Sequence, residues 1–363
     1  MNASIWIAFD KKEKRYVAIK ALKGYSTNLE VRQITWELAA LERVTSMPPP
    51  VGFTSTHCPQ LLDRFRHPGR VQDGDHLCLV TDILGGDVKR LQFRRRFPLP
   101  LAKHILLHTL RGVAQMHDCG IAHTDLKHDN IMFNVGSLTQ TDIAALVESD
   151  PPRRHPPEES WECTVQVAVS QPLPLPSLSE AMTRNYIVSD FGGAQPSKFH
   201  TYGPVTALAL CAPEIIFRGP WDEKIDIWAF GCLIFEITIG SALFEYKPYP
   251  KYALDKTTAH LWQMLCSTRD RITREQVAAS ELGALYFDLA VNPDDVDNPF
   301  CELKARPRIY NSPFTAILER YNILEGQDVL ATANIMRRCL RLNPKDRATA
   351  KELLQDPWWQ DVT

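Results

Sequence analysis

Three side chains within one short run could carry phosphoryl transfer. The run Ile121-Ala122-His123-Thr124-Asp125-Leu126-Lys127-His128-Asp129-Asn130-Ile131-Met132 sets a carboxylate, an ammonium and an amide a few positions apart. Asp125 could accept the proton of an attacking hydroxyl, Lys127 could offset charge on a γ-phosphate, and the oxygen of Asn130 could ligate Mg2+. Phosphoryl transfer needs those three kinds of group close together, because positioning and charge stabilisation do most of its work.

The spacing H-x-D-L-x-x-x-N resembles the catalytic loop of protein kinases, with Thr124 where most of them carry Arg. Three further signatures stand in the order that family requires. Val17-Ala18-Ile19-Lys20 resembles its V-A-I-K, Asp190-Phe191-Gly192 its D-F-G, and Ala212-Pro213-Glu214 its A-P-E. The chain is thus similar to a protein kinase over nearly its whole length. The resemblance implies an α+β, bilobal fold, with a small antiparallel-sheet N-lobe and a large, mainly helical C-lobe. It also implies ATP and Mg2+ as cofactors.

The same resemblance assigns expected roles. Lys20 would hold the α/β-phosphates and pair with a helical glutamate, for which Glu37 is the choice and Glu30 and Glu42 the alternatives. Asp125 would be the base and Lys127 its cationic partner, with Asn130 and Asp190 as metal ligands. Adenine would lie between Ile5 and Ala18 above and Met132 below, with Thr81 as gatekeeper and Asp82, Ile83 and Leu84 as the hinge. Leu41 would pack against Phe191, and His123 beneath it as a structural residue. Glu214 with Arg347, and Asp226 in Asp-Ile-Trp-Ala-Phe-Gly, would be scaffold residues. In the family, Asp-Leu-Lys-x-x-Asn marks serine/threonine kinases, so the expected partner is a protein presenting Ser or Thr hydroxyls.

These residues need elements to position them. Ile5–Ala8 and Tyr16–Lys20 read as strands joined by the charged turn Asp10–Lys14. Ile34, Leu38 and Leu41 have helical spacing, which predicts a helix over 29–45. Pro48-Pro49-Pro50 would stop anything helical. His76 to Ile83 reads as a strand, and Gly85-Gly86 as the passage into the second lobe, which divides the chain into 1–84 and 85–363. Ile225 to Phe244 holds Asp226 and Glu236 and reads as a buried core helix rather than a membrane span. Helical patterns recur at 257–264 and 274–282, before an irregular stretch over 293–308.

Asp190 lies far beyond Asn130, and the intervening chain is rich in proline at 151–157 and 171–176. Residues 136–183 therefore read as an inserted, loop-like connector or docking segment.

Composition excludes other classes. Hydrophobic content of 44%, charged content of 23% and a formal charge of −2 are those of a globular protein without a nucleic-acid-binding face. The basic residues Lys89, Arg90, Arg94, Arg95 and Arg96 read as a solvated helix end rather than a site for an acidic ligand. Nine cysteines occur without a C-x-x-C pair, so neither a zinc site nor a disulfide framework is indicated. With no signal-like leader or membrane span, the expectation is a monomer in the cytoplasm or nucleus, off the membrane.

Among kinases, H-T-D-L-K-x-x-N resembles the SR-protein kinases of the CMGC group, as do Ser4-Ile5-Trp6-Ile7-Ala8-Phe9-Asp10 and Leu79–Gly85. The insertion before D-F-G resembles divergent fungal members of that group. This resemblance implies serines in Arg/Ser-rich proteins as acceptors. Thr124 in place of Arg implies activity independent of activation-loop phosphorylation, since that Arg grips the phosphate. The pattern departs from the family at Cys211, where relatives have Arg, and at His128-Asp129, where they have Pro-Glu. No G-x-G-x-x-G precedes Ile5, which leaves two readings of this stretch, a truncated sequence or a weakened kinase. The alternative function is a non-catalytic scaffold that binds partners through the fold and the Pro-rich insertion. A small-molecule phosphotransferase is disfavoured by A-P-E, Asp226 and the large second lobe.

Overall fold

β-branched and aromatic residues at the start of the chain form a hairpin, β1 (Ala3–Asp10) and β2 (Arg15–Leu22), paired from Ala3↔Leu22 to Asp10↔Arg15. Asp10 closes the turn, its Oδ1 accepting the N–H groups of Lys12 (2.9 Å) and Glu13 (3.1 Å). The computed structural model describes residues 3–47, 56–69, 74–92, 96–159, 164–198, 200, 205–289 and 298–362. Pro48–Pro50, Arg94 and Arg95 lie outside them, as does the start of the expected irregular stretch, residues 293–297.

The helix expected over 29–45 is two helices, α1 (Gly24–Val31) and α2 (Glu37–Ser46). Gln33 adopts φ 55°, which breaks the helix, and Ile34 is left 50% exposed instead of joining a buried face. β3 (Leu61–His67) and β4 (His76–Thr81) complete a sheet of order β1-β2-β4-β3. This antiparallel sheet with α2 is the small lobe.

β5 (Leu84–Asp87) and α3 (Val88–Gln92) lead into the large lobe. Gly85 belongs to β5 for a steric reason: a Cβ there would run into the Phe133 ring. α4 (Leu99–Asp118), β6 (Ile121–Ala122) and β7 (Ile131–Asn134) follow.

The insertion is more structured than its proline content predicts. It holds α5 (Gln140–Ser149), a small hairpin of β8 (Glu158–Glu159) and β9 (Thr164–Val165), and α6 (Leu178–Ala181). Thr139 and Asp142 form a reciprocal capping box that starts α5, a local device independent of the prolines downstream. The two proline stretches themselves carry no helix or strand pairing beyond a single bridge at Arg154.

β10 (Tyr186–Val188) pairs with β7, and β11 (Gln195–Pro196) with β6. α7 (Pro213–Ile216) precedes α8 (Lys224–Ile239). α8 is buried almost all round and ends where Gly240 takes φ 82°, the core helix that its sequence predicts. Of the later helices, 256–268 matches the predicted 257–264, whereas the next is only 274–278. Ser280 ends it, donating to Val277 O (2.8 Å) and accepting the Gly283 N–H (3.1 Å). Among the described residues no helix is long and apolar enough to cross a membrane.

Candidate functional site

The sheet presents one row of chemistry toward the second lobe. In its register Ile5 stands opposite Lys20, Lys20 opposite Leu79, Ile7 opposite Ala18, and Ala18 opposite Thr81. Partners across a ladder and residues two apart share a face, so Ile5, Ala18, Lys20 and Thr81 lie on the same side. Ile7 also lies on this face; composition gave no reason to single it out, and only the register does. Asp82, in the hinge, accepts an ion pair from Arg15 (3.4 Å), and Leu84 pairs with Asn134. Met132 faces Asp87 across the β5–β7 ladder in the large lobe.

Lys20 is the junction between lobes. Its Nζ lies 2.5 Å from Glu37 Oε1 and 2.7 Å from Asp190 Oδ1. Burial pushes its pKa down, but the two carboxylates outweigh burial and hold the ammonium above its ordinary value. Burial pushes Asp190 up, and Lys20 more than reverses this, holding the carboxyl below its usual range. Burial raises the Glu37 carboxyl against the opposing pull of Lys20.

Glu37 begins α2, and the alternatives for its role are engaged elsewhere. Glu30 caps α2, accepting the N–H groups of Glu37 (2.9 Å) and Leu38 (3.3 Å). Glu42 pairs with Arg64. Behind the ion pair, a Cβ on Gly192 would stand 3.3 Å from Asp190 Oδ1 and 3.6 Å from Glu37 Oε2, so this backbone closes the rear of the cluster. Asp190 takes φ 62° and enters the turn Phe191–Gly193. His123 meets the Phe191 ring edge-on, with centroids 5.9 Å apart, and its Nε2 bonds the Ser189 carbonyl (2.9 Å). Leu41 is buried in the same core, and α2 packs on the Phe191 turn.

The catalytic-type loop is held from below by Asp226 on α8. Its Oδ2 accepts the His123 N–H (2.7 Å), its Oδ1 the Thr124 N–H (2.9 Å), and it also bonds His117 (3.0 Å). Thr124 sits at φ 67°, a conformation that such anchoring must stabilise. Its hydroxyl donates to the Gly193 carbonyl (2.7 Å), tying this loop to the segment after Asp190. The motif marked Thr124 only as a missing Arg; the bond to Gly193 gives it a structural role.

Above this anchor, Lys127 Nζ lies 2.6 Å from Asp125 Oδ2, and Asn130 Nδ2 donates to Asp125 O (2.8 Å) and Oδ2 (3.1 Å). Ser189 donates its N–H to Asn130 O (2.8 Å), which places Asp190 beside Asn130. Asn130 thus spends its amide hydrogens on Asp125 and keeps its oxygen for another partner. Asp190 spends Oδ1 on Lys20 and remains 52% exposed at its side chain. Two oxygen donors of this kind fit a hard divalent ion that fills its remaining positions with water and phosphate. Among the described residues no group of three or more His, Cys, Asp or Glu could cage a metal by itself.

A family model described as a protein kinase domain matches residues 2–150 and 178–359. The chain belongs to the protein kinase family. Members of this family use ATP with a divalent metal and act on protein substrates. The unmatched internal residues, 151–177, fall within the insertion. This kinase domain is 28% identical to the serine/threonine-protein kinase SRPK of Physarum polycephalum, over 99% of the chain and 83% of that protein. It is 25% identical to the serine/threonine-protein kinase AFC2 of Arabidopsis thaliana, over 97% of the chain and 72% of that protein. Against the dual specificity protein kinase lkh1 of Schizosaccharomyces pombe it is 25% identical over 97% of the chain, but spans only 44% of that protein.

The remaining family positions of the kinase are also accounted for. Arg347 binds Glu214 through two parallel bonds, and Cys211, at the position before A-P-E, is a buried thiol pushed up to about 12 by burial. Of the basic cluster, Lys89 pairs with Asp129 (2.8 Å) and Arg90 with Asp87 (3.4 Å), so these are local ion pairs.

Proposed function

We propose that this kinase is an ATP- and Mg2+-dependent serine/threonine protein kinase acting on Arg/Ser-rich proteins. The carrying observation is the connected frame of Lys20, Glu37 and Asp190 beside Asp125, Lys127 and Asn130. Mg2+ bound with ATP would neutralise phosphate charge, and Asn130 and Asp190 are the residues that would hold it. Lys20, fixed by Glu37, orients the α/β-phosphates. Asp125 accepts the proton of the attacking hydroxyl, and Lys127, 2.6 Å from it, offsets charge on the transferred group. Ile5, Ala18 and Met132 supply apolar surface to adenine, with Thr81, Asp82 and Leu84 along its edge. Lys127 in Asp-Leu-Lys-x-x-Asn and the likeness to the serine/threonine-protein kinases SRPK and AFC2 favour Ser/Thr acceptors. The near-neutral charge favours a protein partner over nucleic acid, and our reading places the kinase as a monomer in the cytoplasm or nucleus, off the membrane.

The test is Mg-ATP phosphotransfer to an Arg/Ser-repeat peptide, with Asp190→Ala alongside. Incorporation by the wild type that disappears with Asp190→Ala is expected. No incorporation into any Ser- or Thr-containing peptide would sink the proposal. Because Thr124 is bonded to Gly193 and cannot grip a phosphate by charge, protein from bacteria treated with phosphatase should be as active as untreated protein. Activity that appears only after phosphorylation of the segment before Ala212 would contradict this.

A further inference from the structure

The insertion leaves and rejoins the large lobe at one neck. Asn134 donates its N–H to the Asn185 carbonyl (2.9 Å), and the Asn185 N–H returns to Asn134 Oδ1 (3.2 Å). From this neck α5 reaches back to the other lobe and packs on β2. The N–H of Tyr16 donates to Gln140 Oε1 at 2.5 Å, and Ile143 is the one buried residue of the helix, 1% exposed.

The place of that bond in the sheet gives it meaning. The β2–β4 ladder runs only as far as Ala18↔Thr81, because the chain turns into the hinge after Thr81. Amides two apart along a strand point the same way, so the Tyr16 N–H continues the row that β4 no longer covers. Gln140 supplies the next acceptor in that row. Two residues on along β2 is Ala18, and four on is Lys20. The other end of the insertion also lies against the hinge: a Cβ on Gly86 would stand 3.1 Å from Leu175 Cδ2.

We infer that Gln140 is a positioning residue for the nucleotide, holding β2, and through it Ala18 and Lys20, at a fixed height over the cleft. The insertion is thereby a strap across the hinge rather than a passive connector. This rests on the reading of Lys20 and Asp190 as the nucleotide site. Lobes joined by a hinge rotate, and a strap that restrains one side favours the geometry in which the phosphates are held. Losing it weakens ground state and transition state alike, which raises KM and leaves kcat alone.

The experiment compares Gln140→Ala, Gln140→Glu and Ile143→Asp with wild type in the full chain. It reads KM for ATP, kcat, Mg-ADP binding by calorimetry, melting temperature, and hydrogen exchange of residues 15–22. Gln140→Ala is expected to raise KM for ATP and the Kd for ADP about three- to tenfold, with kcat unchanged, melting temperature lowered by no more than the loss of one hydrogen bond and β2 exchange faster. Gln140→Glu keeps an acceptor and should restore wild-type KM. Ile143→Asp should match Gln140→Ala by undocking the helix. Equal KM, ADP affinity and β2 exchange in wild type and Gln140→Ala would overturn the inference while leaving the nucleotide site intact. A wild type that does not bind Mg-ADP at all would instead overturn the site reading, and the inference with it.

Discussion

Asp125→Asn is expected to lower kcat by about 10²–10⁴ while leaving KM for ATP unchanged. Asn occupies the same space and keeps an oxygen that can accept from Lys127 Nζ, which lies 2.6 Å from Asp125 Oδ2 in the native site. The backbone bond from Asn130 to the carbonyl of residue 125 survives as well. What is lost is the capacity to take a proton and the negative charge that orients the hydroxyl. Asp125 makes no bond to Lys20, Glu37 or Asp190 among the described contacts, so nucleotide binding has no reason to change. Single-turnover phosphotransfer with parallel ATP titration checks both halves. A kcat loss under about tenfold would mean that another group takes the proton and that Asp125 only shapes the loop.

The contrast between this loop and its surroundings shows what a sequence discloses. Asp125, Lys127 and Asn130 are close in the chain, so their spacing already sets their geometry, and Asp190 follows because D-F-G is equally local. Glu37 stands 17 positions after Lys20 at the start of a helix, and its Oε1 lies 2.5 Å from Lys20 Nζ. The same helical periodicity misled at Ile34. Apolar spacing ran through a point where Gln33 turns left-handed and Glu30 folds back as a cap, and a side chain's use as a cap leaves no periodic trace. In the insertion, proline content masked α5, although Thr139-x-x-Asp142 is a helix-start pattern that could have revealed it. The bond from Tyr16 to Gln140 spans 124 positions and had no local signal at all. Contacts of that kind belong to the fold and become visible only once β4 is seen to stop at Thr81.

Breaking the buried Glu214–Arg347 pair should strongly destabilise the large lobe. Arg347 Nη1 lies 2.5 Å from Glu214 Oε1 and Nη2 2.7 Å from Oε2, a fork-to-fork pair, with Arg347 2% and Glu214 6% exposed. Arg347 also donates to the carbonyls of Arg341 (2.8 Å) and Lys224 (3.0 Å), and its guanidinium lies 5.1 Å from the Trp228 ring centroid. The pair therefore joins the end of A-P-E, the start of α8 and the late C-lobe at one buried point. Arg347→Met leaves the buried Glu214 carboxylate without its partner and takes one donor from each of the two carbonyls, at a cost of about 3–5 kcal/mol. Glu214→Leu with Arg347→Met removes both charges, so the double variant should lose less than the two single losses combined, because neither charge is stranded. Urea unfolding of the four proteins gives the coupling directly. Additive losses would mean that the two charges are solvated independently, and that the core around Trp228 and α8, not the ion pair, holds A-P-E against the large lobe.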